Sequence, residues 1–215
     1  VTLQKDRRAV LGRSAYLLGR RAEQQYSLVQ AARSVMDELA AESQENVHLV
    51  IREGLHSLVV DLRESNQPVR MYAEIGRRGP LHAGGSPKVL LAHAPSAVID
   101  AVLAQPLERF TPETITDPDR LRAVLDDIRR TDLHITVGDL QDHAFAIATP
   151  IRDHQGQVVA ALRGRGVRAH VEVDEEVLAV ALLEVEDAVV SAHRQSAQFD
   201  AVGGRLCAGH RPAPS

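Results

Sequence analysis

Residues needed for several common functions are scarce in this sequence of 215 residues. The single cysteine, Cys207, can form neither an internal disulfide nor a thiolate cage for a metal, which is typical of a reducing cytoplasm. Tryptophan is absent and only three Phe and three Tyr are present, so aromatic stacking on single-stranded nucleic acid is nearly excluded. The longest apolar run, residues 177–183, is far shorter than the roughly 20 residues that span a bilayer. The sequence therefore predicts a cytoplasmic protein that makes no use of a membrane.

Apolar residues are plentiful, and charge is unevenly distributed along the chain. Hydrophobic side chains make up 44% of the sequence, which is enough for one substantial core. Residues 1–22 contain six basic residues and one acidic residue, so they carry a net charge of +5 while the remainder carries −9. Two interpretations of the basic end remain open: contact with a polyanion, or a solvated arginine-rich segment.

Hydrophobic spacing and turn residues divide the chain into helices and strands. Helical periodicity predicts an amphipathic helix over residues 23–41, and a turn containing Gly54 joins predicted strands 47–51 and 58–62 into a hairpin. Further predicted elements are a strand over 69–75, a loop over 76–85, helices beginning near Ser86, Pro95 and Asp117, a strand hairpin over 144–162 and a last helix over 174–194. This order favours an α+β fold in which helices pack on an antiparallel sheet.

Four segments in register resemble one known family. Residues 76–92, GRRGPLHAGGSPKVLLA, resemble the signature loop and helix of the effector-binding domain of IclR-type bacterial transcription regulators. The segments FTPETIT at 110–116, IATPI at 147–151 and VVAAL at 158–162 are similar to further motifs of that family in the same order. Together they cover roughly residues 25–195, and four matching segments are much more specific than one.

The resemblance implies a GAF-like domain that binds a small metabolite, joined to an N-terminal winged helix-turn-helix that binds DNA in a homodimer or homotetramer. It implies that residues 1–22 are the remnant of two segments, the DNA-binding wing with its last strand and the linker that follows it. Residues 23–41 would then be the linker helix, 42–197 the effector-binding domain and 198–215 a disordered tail. The recognition helix is absent from this sequence, which leaves a truncation and a misplaced start as alternatives.

The segment Gly84-Gly85-Ser86-Pro87-Lys88 predicts an anion site. Two glycines allow the backbone to approach a ligand, and a helix capped by Ser86 would present unpaired N–H groups, including those of Ser86 and Lys88. The alternative is a glycine-rich connection before an ordinary capped helix. The resemblance implies that the amides of Gly85 and Ser86 hold acidic effectors, and Pro87 replaces the usual glycine of the family and removes one donor.

Two arginines at the end of the last predicted strand are a second site feature. A period of two places Arg163 and Arg165 on the same face as Ala161, opposite Leu162. The resemblance implies serines facing the effector at these two positions. Arginines that point inward would need a bidentate acid or an acidic neighbour, because an unpaired buried charge is costly. The alternative is that the strand end rotates outward and both side chains are solvated.

The complete set of predicted ligand-binding residues adds positions that correspond by register to the pocket lining of the family. These residues are Met71, Gly84, Gly85, Ser86, Lys88, Thr136, Ala144, Ala146, Arg163 and Arg165. The acid that the family commonly has near Thr136 is missing here, although Asp139 and Asp142 lie close, and Met71 is more typical of core packing.

The function predicted from these residues is that of a sensor rather than an enzyme. No nucleophile lies at a strained turn and no histidine has the spacing of a metal site, so we predict no catalysis, no metal and no cofactor. A small acidic metabolite would bind beside the Gly84 to Lys88 turn and control DNA binding. The alternative is a ligand-independent oligomerisation module whose degenerate pocket is filled by its own arginines.

Overall fold

A six-stranded antiparallel sheet organises the domain in this computed structural model, which describes residues 2–3, 9–10, 13–25, 27–66, 74–153 and 155–167. The helices are α1 (Arg13–Gln25), α2 (Ser27–Ser43), α3 (Gly85–Ala92), α4 (Ser96–Leu103) and α5 (Pro118–Thr131). The strands are β1 (Thr2–Leu3), β2 (Ala9–Val10), β3 (Asn46–Glu53), β4 (His56–Arg63), β5 (Arg78–Pro80), β6 (His134–Val137), β7 (Ala144–Arg152) and β8 (Val158–Val167). The strand order in the sheet is β5-β4-β3-β8-β7-β6, which confirms the predicted GAF-like α+β class.

Two hairpins form the centre of the sheet, as the turn residues predicted. β3 pairs with β4 around Gly54, whose φ of +62° suits a glycine, and β7 pairs with β8 around the turn that contains Gly156. β3 and β8 also pair with each other, so the two hairpins form one continuous sheet.

Several element boundaries differ from the prediction. The later part of residues 1–22, predicted as the end of the wing and the start of the linker, lies in α1, and the predicted helix over 23–41 is divided between α1 and α2. The predicted loop over 76–85 contains the edge strand β5, which is held by backbone pairing with β4 rather than by a hydrophobic pattern. Most of the strand predicted over 69–75 and all of the helix predicted over 174–194 lie outside the described residues.

The sheet separates two apolar cores. On one face, α2 places Val35, Met36 and Leu39 against residues of β3, β7 and β8 that include Leu49 and Leu162. On the other face, α3 and α5 pack against the alternate residues of the same strands. Within β8, Leu162 therefore belongs to the α2 core and Ala161 to the α3 core, in agreement with the predicted period of two. Among the described residues, no helix has both the length and the apolar character needed to cross a membrane.

Removal of the N-cap of α5 is expected to cost about 1 kcal/mol of unfolding free energy. The Asp117 side chain accepts a hydrogen bond from the Arg120 amide at 2.7 Å and Pro118 follows it, as the sequence predicted. We expect Asp117→Ala to lower the midpoint of urea unfolding, whereas Asp117→Ser, which retains an acceptor, is expected to restore most of it. Equal losses in the two variants would contradict this role of the cap.

Candidate functional site

The N-terminus of α3 lies directly against β7. Gly84 is the N-cap residue, with a φ of +92° that L residues with side chains rarely adopt. A Cβ at Gly85 would lie 3.2 Å from the Cβ of Ala146 and 3.3 Å from that of Ala148. The glycine pair therefore allows the helix terminus to approach the sheet closely.

Ser86 does not cap this helix, which corrects the prediction. The helix begins at Gly85, two residues earlier than a Ser86 cap allows, because Gly84 adopts the required non-helical backbone. The Ser86 hydroxyl is completely buried and has no hydrogen-bond partner among the described residues. Within the described residues, the amides of Gly85 and Ser86 donate no hydrogen bond, as is usual in a first helical turn.

Lys88 contributes a buried ammonium group, and its amide is not free. Its N–H donates to the Gly84 carbonyl at 3.4 Å, so the predicted unpaired amide of Lys88 is wrong. The Lys88 Nζ lies 2.8 Å from the Asp139 Oδ2, and the two side chains are only 2% and 4% exposed. The same oxygen accepts a hydrogen bond from the Gly84 amide at 2.5 Å, while the Asp139 Oδ1 has no described partner. An internal carboxylate thus already lies beside this helix terminus and neutralises Lys88.

Two buried threonines hold the segment that carries Asp139. Thr111 Oγ1 donates to the Gly138 carbonyl at 2.6 Å, and Thr114 Oγ1 donates to the Asp139 carbonyl at 2.7 Å. Thr114 Oγ1 also accepts hydrogen bonds from the amides of Phe110 and Thr111, so hydrogen bonds within the motif hold its first residues together. The 110–116 motif therefore positions the carboxylate that contacts α3.

The two arginines of β8 point into the protein. Arg163 is 6% exposed and Arg165 is 5% exposed, so the alternative of solvated side chains is wrong. The Arg163 guanidinium contacts the Nδ1 of His48, its neighbour on β3, and the Arg165 guanidinium donates to the Oε1 of Gln141. Neither forms an ion pair with a described carboxylate, because Asp139 pairs with Lys88 instead.

The pKa values reflect this uncompensated charge. Burial, followed by the charges of Arg165 and Arg77, lowers the pKa of Arg163 to about 9. Burial and the charge of Arg77 lower the pKa of Arg165 to about 10. Burial and the neighbouring arginines also hold the pKa of His48 well below its ordinary value. Among the described residues, no acidic group is a cause of these shifts, so the immediate surroundings of the two guanidinium groups are electropositive.

Two small cavities adjoin the arginines. The inner cavity, about 20 Å³, lies between the glycine pair, the start of β7, the Asp139 carboxylate and the two guanidinium groups. The outer cavity, about 40 Å³, is bordered by the same two arginines together with His48 and Arg77. Volumes of this size hold at most a few water molecules. The arginine side chains therefore occupy most of the space between α3 and β8.

The structure brings most of the predicted site residues together. Those that border the inner cavity are Gly84, Gly85, Thr136, Ala144, Ala146, Arg163 and Arg165. Ser86 and Lys88 are buried in α3, and Lys88 contacts Asp139 rather than the cavity. Met71 lies outside the described residues. Sequence reasoning missed His48 and Gln141, the two polar contacts of the arginines, although the position of His48 within a predicted strand was a usable signal.

Acidification is expected to destabilise the domain through His134. Burial, followed by the charge of Lys88, lowers the pKa of His134 to about 4. An unfolded histidine takes up its proton near pH 6.5, so stability is greatest above that pH and falls as the pH drops toward about 4. His48 acts in the same direction.

Urea unfolding at about pH 7.5 and about pH 5 measures this effect. We expect His134→Gln to lose less stability on acidification than the wild type. His56→Gln, which changes an exposed histidine, serves as the matched control. An identical loss in all three proteins would exclude His134 as the titrating group.

The arrangement favours binding of an anion over metal chemistry. Within the described ranges, no group of three His, Cys, Asp or Glu side chains could hold a metal ion. The free amide of Gly85 and two buried guanidinium groups instead border one cavity, and both kinds of donor are suited to a carboxylate.

Comparisons with known proteins agree with this architecture. Residues 21–190 match the family described as bacterial transcriptional regulator IclR C-terminal. The HTH-type transcriptional regulator KipR of Bacillus subtilis is 33% identical over 165 residues, which cover 76% of this chain and 65% of KipR. The HTH-type transcriptional repressor AllR of Klebsiella pneumoniae is 35% identical over 143 residues, which cover 65% of this chain and 52% of AllR. The chain therefore spans about half to two thirds of the length of these relatives.

Solved structures show the same fold. An IclR homologue of Microbacterium hydrocarbonoxydans, complexed with 4-hydroxybenzoate, superposes with a TM-score of 0.82 at 29% identity, covering 89% of this chain and 78% of that protein. The IclR protein of Thermotoga maritima gives a TM-score of 0.77 at 25% identity, covering 88% and 77%. These relatives are regulators, a class of proteins that is not enzymatic. The chain belongs to the IclR family of bacterial transcriptional regulators, and it contains the C-terminal domain of that family.

Proposed function

We propose that this domain senses a small acidic metabolite and thereby controls the DNA binding of a transcriptional regulator. The observation that carries the proposal is the pair of buried guanidinium groups, Arg163 and Arg165, without a described carboxylate partner. A buried charge is stabilised only by a partner, and a carboxylate offers two acceptors to each guanidinium. The amide of Gly85 offers a further donor at the inner cavity.

The comparison with the Microbacterium homologue supports a carboxylate as the bound group. The ligand in that complex, 4-hydroxybenzoate, is a carboxylic acid. Because the two proteins share a fold, we expect this chain to bind an acid as well. The two arginines indicate that its metabolite differs in charge from 4-hydroxybenzoate.

Coupling to DNA would proceed through α2. Its buried face packs on β3, and β3 carries His48, the contact of Arg163. A ligand that moves Arg163 would therefore act on the strand that supports α2. Control of DNA binding requires that the ligand bind two arrangements of the protein with different affinities.

The proposal also includes DNA contact through an N-terminal domain, a dimeric or tetrameric assembly and a cytoplasmic location. Exposed apolar side chains on α1, among them Tyr16 and Leu18, support association through this end of the chain.

A second candidate function, ligand-independent oligomerisation, is favoured by the small size of the cavities. Side chains that fill a former pocket would leave volumes of about 20 and 40 Å³. That account also needs the arginines to be neutralised within the chain, and Asp139 and Asp142 do not do so: Asp139 pairs with Lys88, and Asp142 is exposed.

Thermal unfolding with a panel of carboxylic acids separates the two functions. At about a hundredfold excess over its Kd, a bound acid is expected to raise Tm by about 5 to 10 °C. Arg163→Ser/Arg165→Ser is expected to abolish the rise. Absence of a response to every acid in the wild type would support the oligomerisation module instead.

A further inference from the structure

The interior beside the two cavities holds more positive charge than the described carboxylates neutralise. Lys88 uses Asp139, and Arg78 at the edge of the outer cavity pairs with Glu53. Arg163 and Arg165 keep only neutral partners, the imidazole of His48 and the amide of Gln141. Glu74 also borders the outer cavity, but among the described residues Arg163 and Arg165 form no ion pair, and they occupy adjacent inward-facing positions of β8.

Donors surround the inner cavity from two directions. Arg163 and Arg165 approach from β8, and the Nε of Arg163 is buried without a described partner. The amide of Gly85 approaches from α3, whose N-terminal dipole adds partial positive charge. The Asp139 carboxylate also borders this cavity, but Lys88 and the Gly84 amide already engage it. One carboxylate of a ligand can engage the guanidinium groups while a second engages the helix terminus, so the arrangement suits a molecule with two acidic groups.

We propose that the site selects short dicarboxylates over monocarboxylates of the same length, and that Arg163 and Arg165 determine this selectivity. The inference rests on the proposed function and names the class of its metabolite. A dianion neutralises both guanidinium groups, whereas a monoanion leaves one buried charge uncompensated. The inner cavity, at about 20 Å³, holds no dicarboxylate unless the two arginines move, and an acid of about three or four carbons requires less displacement of them than a longer one.

Calorimetric titration with malonate and with monomethyl malonate tests the inference on the wild-type chain. The two acids have the same backbone, and at about pH 7.5 malonate carries two charges and its half-ester one. Malonate is expected to bind at least about tenfold more tightly at constant ionic strength. Succinate and the longer adipate extend the series, and adipate is expected to bind more weakly than the shorter acids.

Variants assign the selectivity to the arginines. Arg165→Gln and Arg163→Gln are each expected to reduce the preference for malonate over its half-ester to about twofold or less. Arg130→Gln removes an exposed charge from α5 and is expected to retain the wild-type preference. The wild-type comparison needs no variant to fold, and circular dichroism verifies the fold of each variant.

The outcomes separate the inference from the proposed function. If malonate and monomethyl malonate bind equally well, the selectivity is wrong while acid sensing stands. If the preference persists unchanged in both arginine variants, the assignment to Arg163 and Arg165 is wrong. If no acid of either kind binds, the proposed function fails and the inference fails with it.

Discussion

Replacement of Asp139 by alanine is expected to destabilise the domain by about 3 to 5 kcal/mol, because it leaves the Lys88 ammonium charged and unpaired in the interior. The two side chains are 4% and 2% exposed, so water cannot replace the lost carboxylate. The Gly84 amide loses its acceptor in the same variant, which adds to the cost. Urea unfolding measures the loss.

Two further variants make this prediction specific to a buried pair. Lys88→Met/Asp139→Leu removes both charges and is expected to be less destabilised than Asp139→Ala, since a buried pair is replaceable by apolar side chains. Asp127→Ala breaks an exposed ion pair with Arg130 on α5 and is expected to cost less than about 1 kcal/mol. A small loss in Asp139→Ala, comparable to that in Asp127→Ala, would contradict the role assigned to Asp139.

Replacement of Arg163 by methionine is expected to raise stability while abolishing the binding of acids. Burial lowers the pKa of this guanidinium to about 9, which reflects the cost of its charge in the unliganded protein. Methionine removes that charge at similar length, and we expect a gain of about 1 to 4 kcal/mol in unfolding free energy, as for other replacements of buried charge. Loss of a buried charged donor is expected to weaken acid binding about a hundredfold or more.

The opposite signs of the two effects distinguish a binding residue from a structural one. A residue whose replacement raises the free energy of unfolding but abolishes binding is typical of functional sites. Arg122→Met, which changes a half-exposed arginine on α5, is the control and is expected to alter neither quantity much. If Arg163→Met is instead strongly destabilised, Arg163 is part of the structural framework and the sensing account loses its main support.

The predicted elements that rest on local signals agree with the structure. Alternation along β8 placed Arg163 and Arg165 on the face of Ala161, although it left open whether they point inward, and the Asp117-Pro118 signal located the start of α5. Each depends on residues within one or two turns of chain, where periodicity and capping chemistry act directly.

Long-range contacts could not be predicted in the same way. Lys88 and Asp139 are 51 positions apart, and no local pattern indicates that they pair. Ser86 has the side chain of a good N-cap, but Gly84 adopts the cap conformation because tight packing on β7 fixes where the helix begins. The edge strand β5 depends on backbone bonds to β4, which its glycine- and proline-containing sequence does not reveal.

Amide chemical shifts test the central claim most directly, because they report on the helix terminus itself. In an ¹⁵N-labelled protein titrated with malonate, the amides of Gly85 and Ser86 and the Nε–H of Arg163 are expected to shift together and to saturate with one common Kd. In Arg163→Met the same amides are expected to stay unchanged at equal malonate concentration. Saturable binding that leaves Gly85, Ser86 and Arg163 unperturbed in the wild type would contradict an anion site between α3 and β8.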